Sequence, residues 1–97
     1  MEFIQIIEMR TDKIDEISAL VREWEQATEG RRTARRSVLT RDRNDPSRYL
    51  VIVSFDSYEE AMANSNLPET GELGQKQAAL LDAPIQFTDL DVVETFV

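Results

Sequence analysis

The chain contains no cysteine and no histidine. Without cysteine there are no disulfides, zinc–thiolate sites, iron–sulfur clusters or thiol nucleophiles. Without histidine it loses the commonest general base at neutral pH, the commonest metal ligand and the usual proximal haem ligand. Ser-His-Asp and Cys-His catalysis are excluded for the same reason. Glycine is scarce, and its three copies, Gly30, Gly71 and Gly74, are not arranged as a phosphate-binding loop. The longest apolar run, Tyr49 to Val53, is far short of a membrane span. Asp89 and Asp91 share one strand parity but have no evident third ligand, so no metal site is expected, and no cofactor is expected either. The opening MEFIQIIEMR has an acid at position 2 and no basic start or apolar stretch, so it does not read as a signal peptide, and a cytoplasmic location is the expectation.

What remains is the composition of a folded domain. Ninety-seven residues, 41% hydrophobic and 31% charged, fit one globular domain spanning 1–97. The net charge of −8 argues against general nucleic-acid binding. The charge is unevenly spread: residues 31–48 hold seven of the eleven basic residues and only two of the nineteen acids. The stretch GRRTARRSVLTRDR is therefore a basic island in an acidic chain.

The order of elements follows from the hydrophobic pattern. Residues 2–9, EFIQIIEM, read as a strand with apolar side chains on both parities. TDKIDEISALVREWEQATEG reads as a helix of about five turns with Asp12 as its cap. Its apolar stripe is Ile14, Ile17, Leu20, Val21 and Trp24, with Gly30 at its end, and Trp24 is expected to pack in the core. Residues 33–41 read as a second strand, RNDPSR as a turn, and 48–55 as a third strand. Ser57 and Glu60 form a capping box for a second helix. Asn64, Ser65 and Asn66 weaken that helix and Pro68 opens a new turn. ELGQKQAALL continues the helical region, with Leu73, Gln77, Leu80 and Leu81 on one side. The last strand is PIQFTDLDVVETFV. The result is a ferredoxin-like β-α-β-β-α-β arrangement: a four-stranded antiparallel sheet in the order 4-1-3-2, with helices on one face.

Helices on one face leave the other face uncovered. The first strand places Phe3, Ile7 and Met9 on one side and Ile4 and Ile6 on the other. The third sets Tyr49, Val51, Val53 and Phe55 against Leu50 and Ile52. An open apolar sheet face of this kind calls for a cover, and a second copy across a two-fold axis is the expectation. Arg32, Arg35, Arg36 and Arg41 near one sheet edge then face Asp89, Asp91 and Glu94 near the other, which sets register between copies. A second reading of the island is an anion site, with Arg36 or Arg35 pointing into the space between facing sheets.

The element order, the two-sided strands and SYEEAMANSNLPETGELGQKQAALLDAPIQFTDLDV resemble the dimeric α/β-barrel superfamily, and within it the antibiotic-biosynthesis-monooxygenase-like (ABM) branch. The resemblance covers nearly the whole chain and is one of element pattern. It implies a homodimer with a pocket for a small apolar or aromatic ligand, and cofactor-independent monooxygenation of an aromatic or polyketide-like substrate. The alternative within the same fold is a non-catalytic ligand-binding, structural or regulatory homodimer. The haem-degrading relatives need a histidine on the second helix, which this chain lacks.

No catalytic residue is assigned from the sequence. The ligand-binding candidates are Gln5, Arg36, Tyr49, Asn64 and Asn66. Gln5 is polar among Phe3 and Ile7 and so is placed to orient a ligand in an apolar interior; its other reading is a bond to buried water or to a second copy. Asn64 is an unfavourable helix-interior residue near a position that holds a pocket tryptophan in the haem branch. Asn64 and Asn66 have the alternative role of ending one helix and capping the next. Tyr49 is placed to wall a cavity with its ring.

Overall fold

The two central strands of the sheet are paired along their whole lengths. The computed structural model describes all residues, Met1–Val97. Its elements are β1 (Phe3–Arg10), α1 (Ile14–Ala27), β2 (Arg36–Arg41), β3 (Arg48–Phe55), α2 (Tyr58–Ser65), α3 (Pro68–Ala78) and β4 (Gln86–Asp91). β1 runs antiparallel to β3 from Phe3 opposite Phe55 to Arg10 opposite Arg48. β4 joins the outer side of β1 and β2 the outer side of β3, both antiparallel, so the order is β2-β3-β1-β4. This is the expected ferredoxin-like sheet, with the second helical region divided into two helices.

Strand alternation sorts the side chains. Phe3, Gln5, Ile7 and Met9 of β1 and Tyr49, Val51, Val53 and Phe55 of β3 face the helices. Ile4, Ile6, Leu50 and Ile52 face away and are only half-buried. The tightest packing lies at the α2 end of the sheet. There Phe3, Val53, Phe55 and Ala61 form the core, with Ile7, Ala34, Val51 and Met62 against it. The Phe3 ring meets Tyr58 edge-on, 5.5 Å between centroids. Beneath α1, Met9 and Ile17 are each 1% exposed.

Local chemistry sets the helix ends. Ser57 Oγ accepts from the Glu60 N–H at 3.2 Å, as the capping box requires, and Pro68 opens α3. α1 departs from expectation. It begins after Lys13, and the hydroxyl of Thr11, not Asp12, accepts the Lys13 N–H at 2.9 Å. Thr11 is 1% exposed and also donates to the Leu80 carbonyl at 2.7 Å, tying the start of α1 to the end of α3. α1 stops at Ala27, and Gly30, at φ 81, turns the chain after it.

Two strands are shorter than their sequence patterns. β2 starts at Arg36, not at residue 33, because the preceding backbone is drawn elsewhere. Arg31 and Arg32 N–H both donate to the Thr28 carbonyl at 2.9 Å, and Thr33 is held by α2. β4 ends at Asp91; the Val92 N–H still donates to the Glu2 carbonyl at 2.9 Å, and residues 93–97 extend beyond with Val93, Phe96 and Val97 exposed.

One end of the uncovered face carries an ionic cluster. Arg48 donates to Glu8 and to Asp42, each at 2.9 Å, and Arg10 donates to Asp45 at 2.7 Å. The Arg48 hydrogen bond lowers the pKa of Glu8. Asp42 is lowered first by the Asn44 backbone N–H and then by Arg48, and Asp45 first by Arg10. Carboxylates depressed in the folded state favour folding above their unfolded values, near pH 4, and that contribution is lost as pH falls through the lower folded values. The urea midpoint is therefore expected to drop between about pH 4.5 and pH 2.5. In Arg48→Gln the drop over that window should be smaller, as measured by circular dichroism across a pH series.

Candidate functional site

α1 and α3 stand off the middle of the sheet and leave a cavity of about 500 Å³ between helices and strands. Its floor is Ile7, Met9, Val51 and Val53, and its roof includes Val21, Trp24 and Leu73. Phe87 of the edge strand stands at its mouth, 58% exposed. A 500 Å³ volume with a mostly apolar lining and a few polar groups is the usual form of a small-molecule site.

The polar groups are few and specific. Asn64 is 8% exposed and Gln77 9%. Asn64 Oδ1 accepts the Thr33 N–H at 3.2 Å, while its Nδ2 has no partner within the chain, and the Gln77 amide has none at all. Every fully enclosed side-chain nitrogen and oxygen in the molecule has a hydrogen-bond partner. The free amide groups of Asn64 and Gln77 are therefore not sealed off, and both residues line the cavity. Gln5 Nε2 donates to Asp89 Oδ1 at 3.0 Å, leaving Gln5 Oε1 and the other Asp89 oxygen free. Asp89 is the one ionisable side chain in the lining.

A smaller cavity of about 330 Å³ adjoins the first between α1 and β2. The two share Met9, Val21, Trp24, Ala34, Ser37 and Val51 as walls. The smaller one opens among Arg22, Arg32 and Arg35, with Glu25 as the single acid.

The candidates read from the sequence separate on this geometry. Gln5 and Asn64 come together in the larger cavity. Arg36 borders the smaller one, but opposite Ser54 and on the parity of Val38 it turns its side chain to the uncovered face. Tyr49 lines neither: it faces the helices from β3 and is buried at 9%. Asn66 is exposed and ends α2, its N–H bonded to the Met62 and Asn64 carbonyls, which is the helix-ending role. The cavities lie under the helices, whereas the sequence placed the site between facing sheets. The difference comes from how far α1 and α3 stand off the sheet, which no periodicity reports.

Two lining residues lay outside the candidates. Trp24 was expected in the core; it is half-buried, walls both cavities and donates from Nε1 to Thr70 Oγ1 at 3.0 Å. Gln77 shares the apolar side of its helix with Leu73, Leu80 and Leu81, and a lone amide in such a stripe was the available signal.

No family model matches the chain, and no curated protein matches it in sequence. Solved structures do match in shape. A provisionally named antibiotic biosynthesis monooxygenase from Caulobacter crescentus CB15 superposes with TM-score 0.82 at 14% identity, covering 96% of this chain and 91% of that one. One from Chloroflexus aurantiacus J-10-fl is 19% identical with TM-score 0.75, covering 100% and 98%. A conserved protein from Methanosarcina mazei Go1 has TM-score 0.81 at 9% identity, covering 93% and 91%. The chain thus has the ABM fold.

Because Trp24 is the only tryptophan, its indole reports on this site alone. Thr70→Val should remove one neutral hydrogen bond, costing about 1 kcal/mol. It should also shift the emission of Trp24 while leaving the far-ultraviolet circular dichroism unchanged.

Proposed function

We propose that this protein is a homodimer that binds a small, electron-rich aromatic molecule in the helix-side cavity and promotes its reaction with molecular oxygen without a cofactor. The observation that carries the reading is the pair of nearly buried amides, Asn64 and Gln77, in the lining of a mostly apolar chamber. A phenol oxygen placed there accepts hydrogen bonds from both amides. That favours the ionised, oxygen-reactive form, and the apolar walls keep water away from it. In the simplest outcome a ring methylene becomes a carbonyl. One oxygen atom of O₂ enters the carbon, and the other leaves as water with the two hydrogens. The chain's share of this is binding, orientation and charge stabilisation at the phenol oxygen. The names of the structural neighbours accord with this chemistry.

A second reading is binding without turnover. It is favoured by the lining itself, where Asp89 has no acidic or basic partner with which to form an acid–base pair.

The dimer rests on the uncovered sheet face. Four strands about 4.8 Å apart and six residues long, at about 3.3 Å each, present roughly 400 Å². That face centres on Ile4, Ile6, Val38, Leu50 and Ile52, all half-buried. A stable interface needs about 800 Å² from each partner. The two edges and the apolar residues Val93 and Phe96 beyond β4 are available to make up the difference. β2 is a basic edge and β4 an acidic one, which suits a second copy of the same chain.

Sedimentation at micromolar concentration should give a dimer, and Ile6→Asp with Ile52→Asp should give monomers; a wild-type monomer would overturn the dimer. Oxygen-electrode traces with anthrone- and naphthol-type phenols should show uptake that falls at least tenfold in Gln77→Leu. Saturable binding with no uptake across the panel would establish the second reading.

A further inference from the structure

The arginine-rimmed opening is left unused by a site that needs only amides and apolar walls. Arg22 of α1 meets Arg32 and Arg35 there, against one acid, Glu25, while Arg36, opposite Ser54 and on the parity of Val38, turns its side chain to the uncovered face. Their intramolecular ties are slight. Arg22 takes part in none of the chain's salt bridges. Arg35 reaches Asp56 at 3.4 Å with both side chains about two-thirds exposed, and Arg32 donates to a backbone carbonyl of Glu25 at 2.6 Å. A chain of net charge −8 has thus gathered three guanidinium-bearing residues at one cavity mouth, with only Glu25 and the loosely paired Asp56 as acids beside them. Like charges brought together cost free energy unless an anion is held among them.

The opposite mouth has the reverse charge. Asp89 lies on β4, at the far edge of the sheet from β2, three strand spacings or about 14 Å away. Between the two mouths run the six shared walls, with Trp24 and Met9 among them. The cleft is therefore polarised from end to end.

We infer that the ligand is an amphiphilic acid: an aromatic body lying in the larger cavity, and a carboxylate or other anionic group held at the Arg22–Arg35 opening between α1 and β2. This rests on the reading of the larger cavity as a small-molecule site and adds the charge and orientation of what enters it. Asp89 repels the anionic end and so fixes which way round the molecule lies. Guanidiniums suit a carboxylate because they donate in a planar fork.

The test uses 6-hydroxy-2-naphthoate and its methyl ester, which share a ring system and a phenol and differ in charge. Binding is measured by titration calorimetry to the intact protein in 50 mM and 300 mM salt. The acid should bind at least tenfold more tightly than the ester at low salt, and the margin should shrink at high salt. In the double variant Arg22→Gln, Arg35→Gln, both at exposed positions, the margin should fall below threefold with ester affinity unchanged. Equal binding of acid and ester would overturn the anionic-group inference and leave the cavity reading intact. A margin undiminished in the double variant would overturn the assignment to this opening. Binding of neither probe would remove both.

Discussion

Eight consecutive cross-strand pairs between β1 and β3 are the constraint on which the molecule depends. Because side chains alternate along a strand, this register sends Phe3, Gln5, Ile7 and Met9 under the helices and Ile4 and Ile6 to the other side. A slip of one residue would exchange the two sets. Gln5 would leave the cavity, and its hydrogen bond to Asp89 on the adjacent strand would be lost. Phe3 and Phe55 would no longer meet across the α2 end. The cavity floor, the core and the uncovered apolar face are three consequences of one pairing.

The basic segment acts as a strap over that frame as well as a cavity rim. Arg31 pairs with Glu69 of α3, and Arg32 reaches the Glu25 carbonyl of α1. Thr33 is bonded through its N–H to Asn64 and through its hydroxyl to the Glu60 carbonyl, both on α2. Residues 31–33 therefore touch all three helices before the chain enters β2. Asn64 is held by the strap through its oxygen, and that leaves its nitrogen turned to the cavity. The same segment positions one of the buried amides and supplies positive charge nearby.

The strands, their order and the capping box at Ser57 were legible in the sequence because each depends on short-range patterning: alternation, turn residues and a three-residue spacing. Asn64 was legible too, as a residue that a helix interior disfavours. The standing-off of α1 and α3 was not, since it depends on side-chain volumes summed across four elements. That is why Trp24, which has the spacing of a core residue, proves to wall a cavity, and why Tyr49 and Asn66 lie outside it. The sequence pattern overextends β2 because a run of Thr, Ala and Arg carries no sign that hydrogen bonds to α2 and to Thr28 claim its first residues. α1 starts one residue past the expected cap: its N-cap is Lys13, which no side chain caps, while Thr11 accepts the Lys13 N–H and is itself tied to the Leu80 carbonyl sixty-nine residues away.

α3 contributes two glycines, Gly71 and Gly74, to the cavity wall, and a methyl group added at either would meet nothing within 4 Å. Glycine in a helix interior costs about 1 kcal/mol relative to alanine. Alanine at either position would project into open space and displace no neighbour, so a protein engineer could stiffen this helix there without disturbing a packed contact.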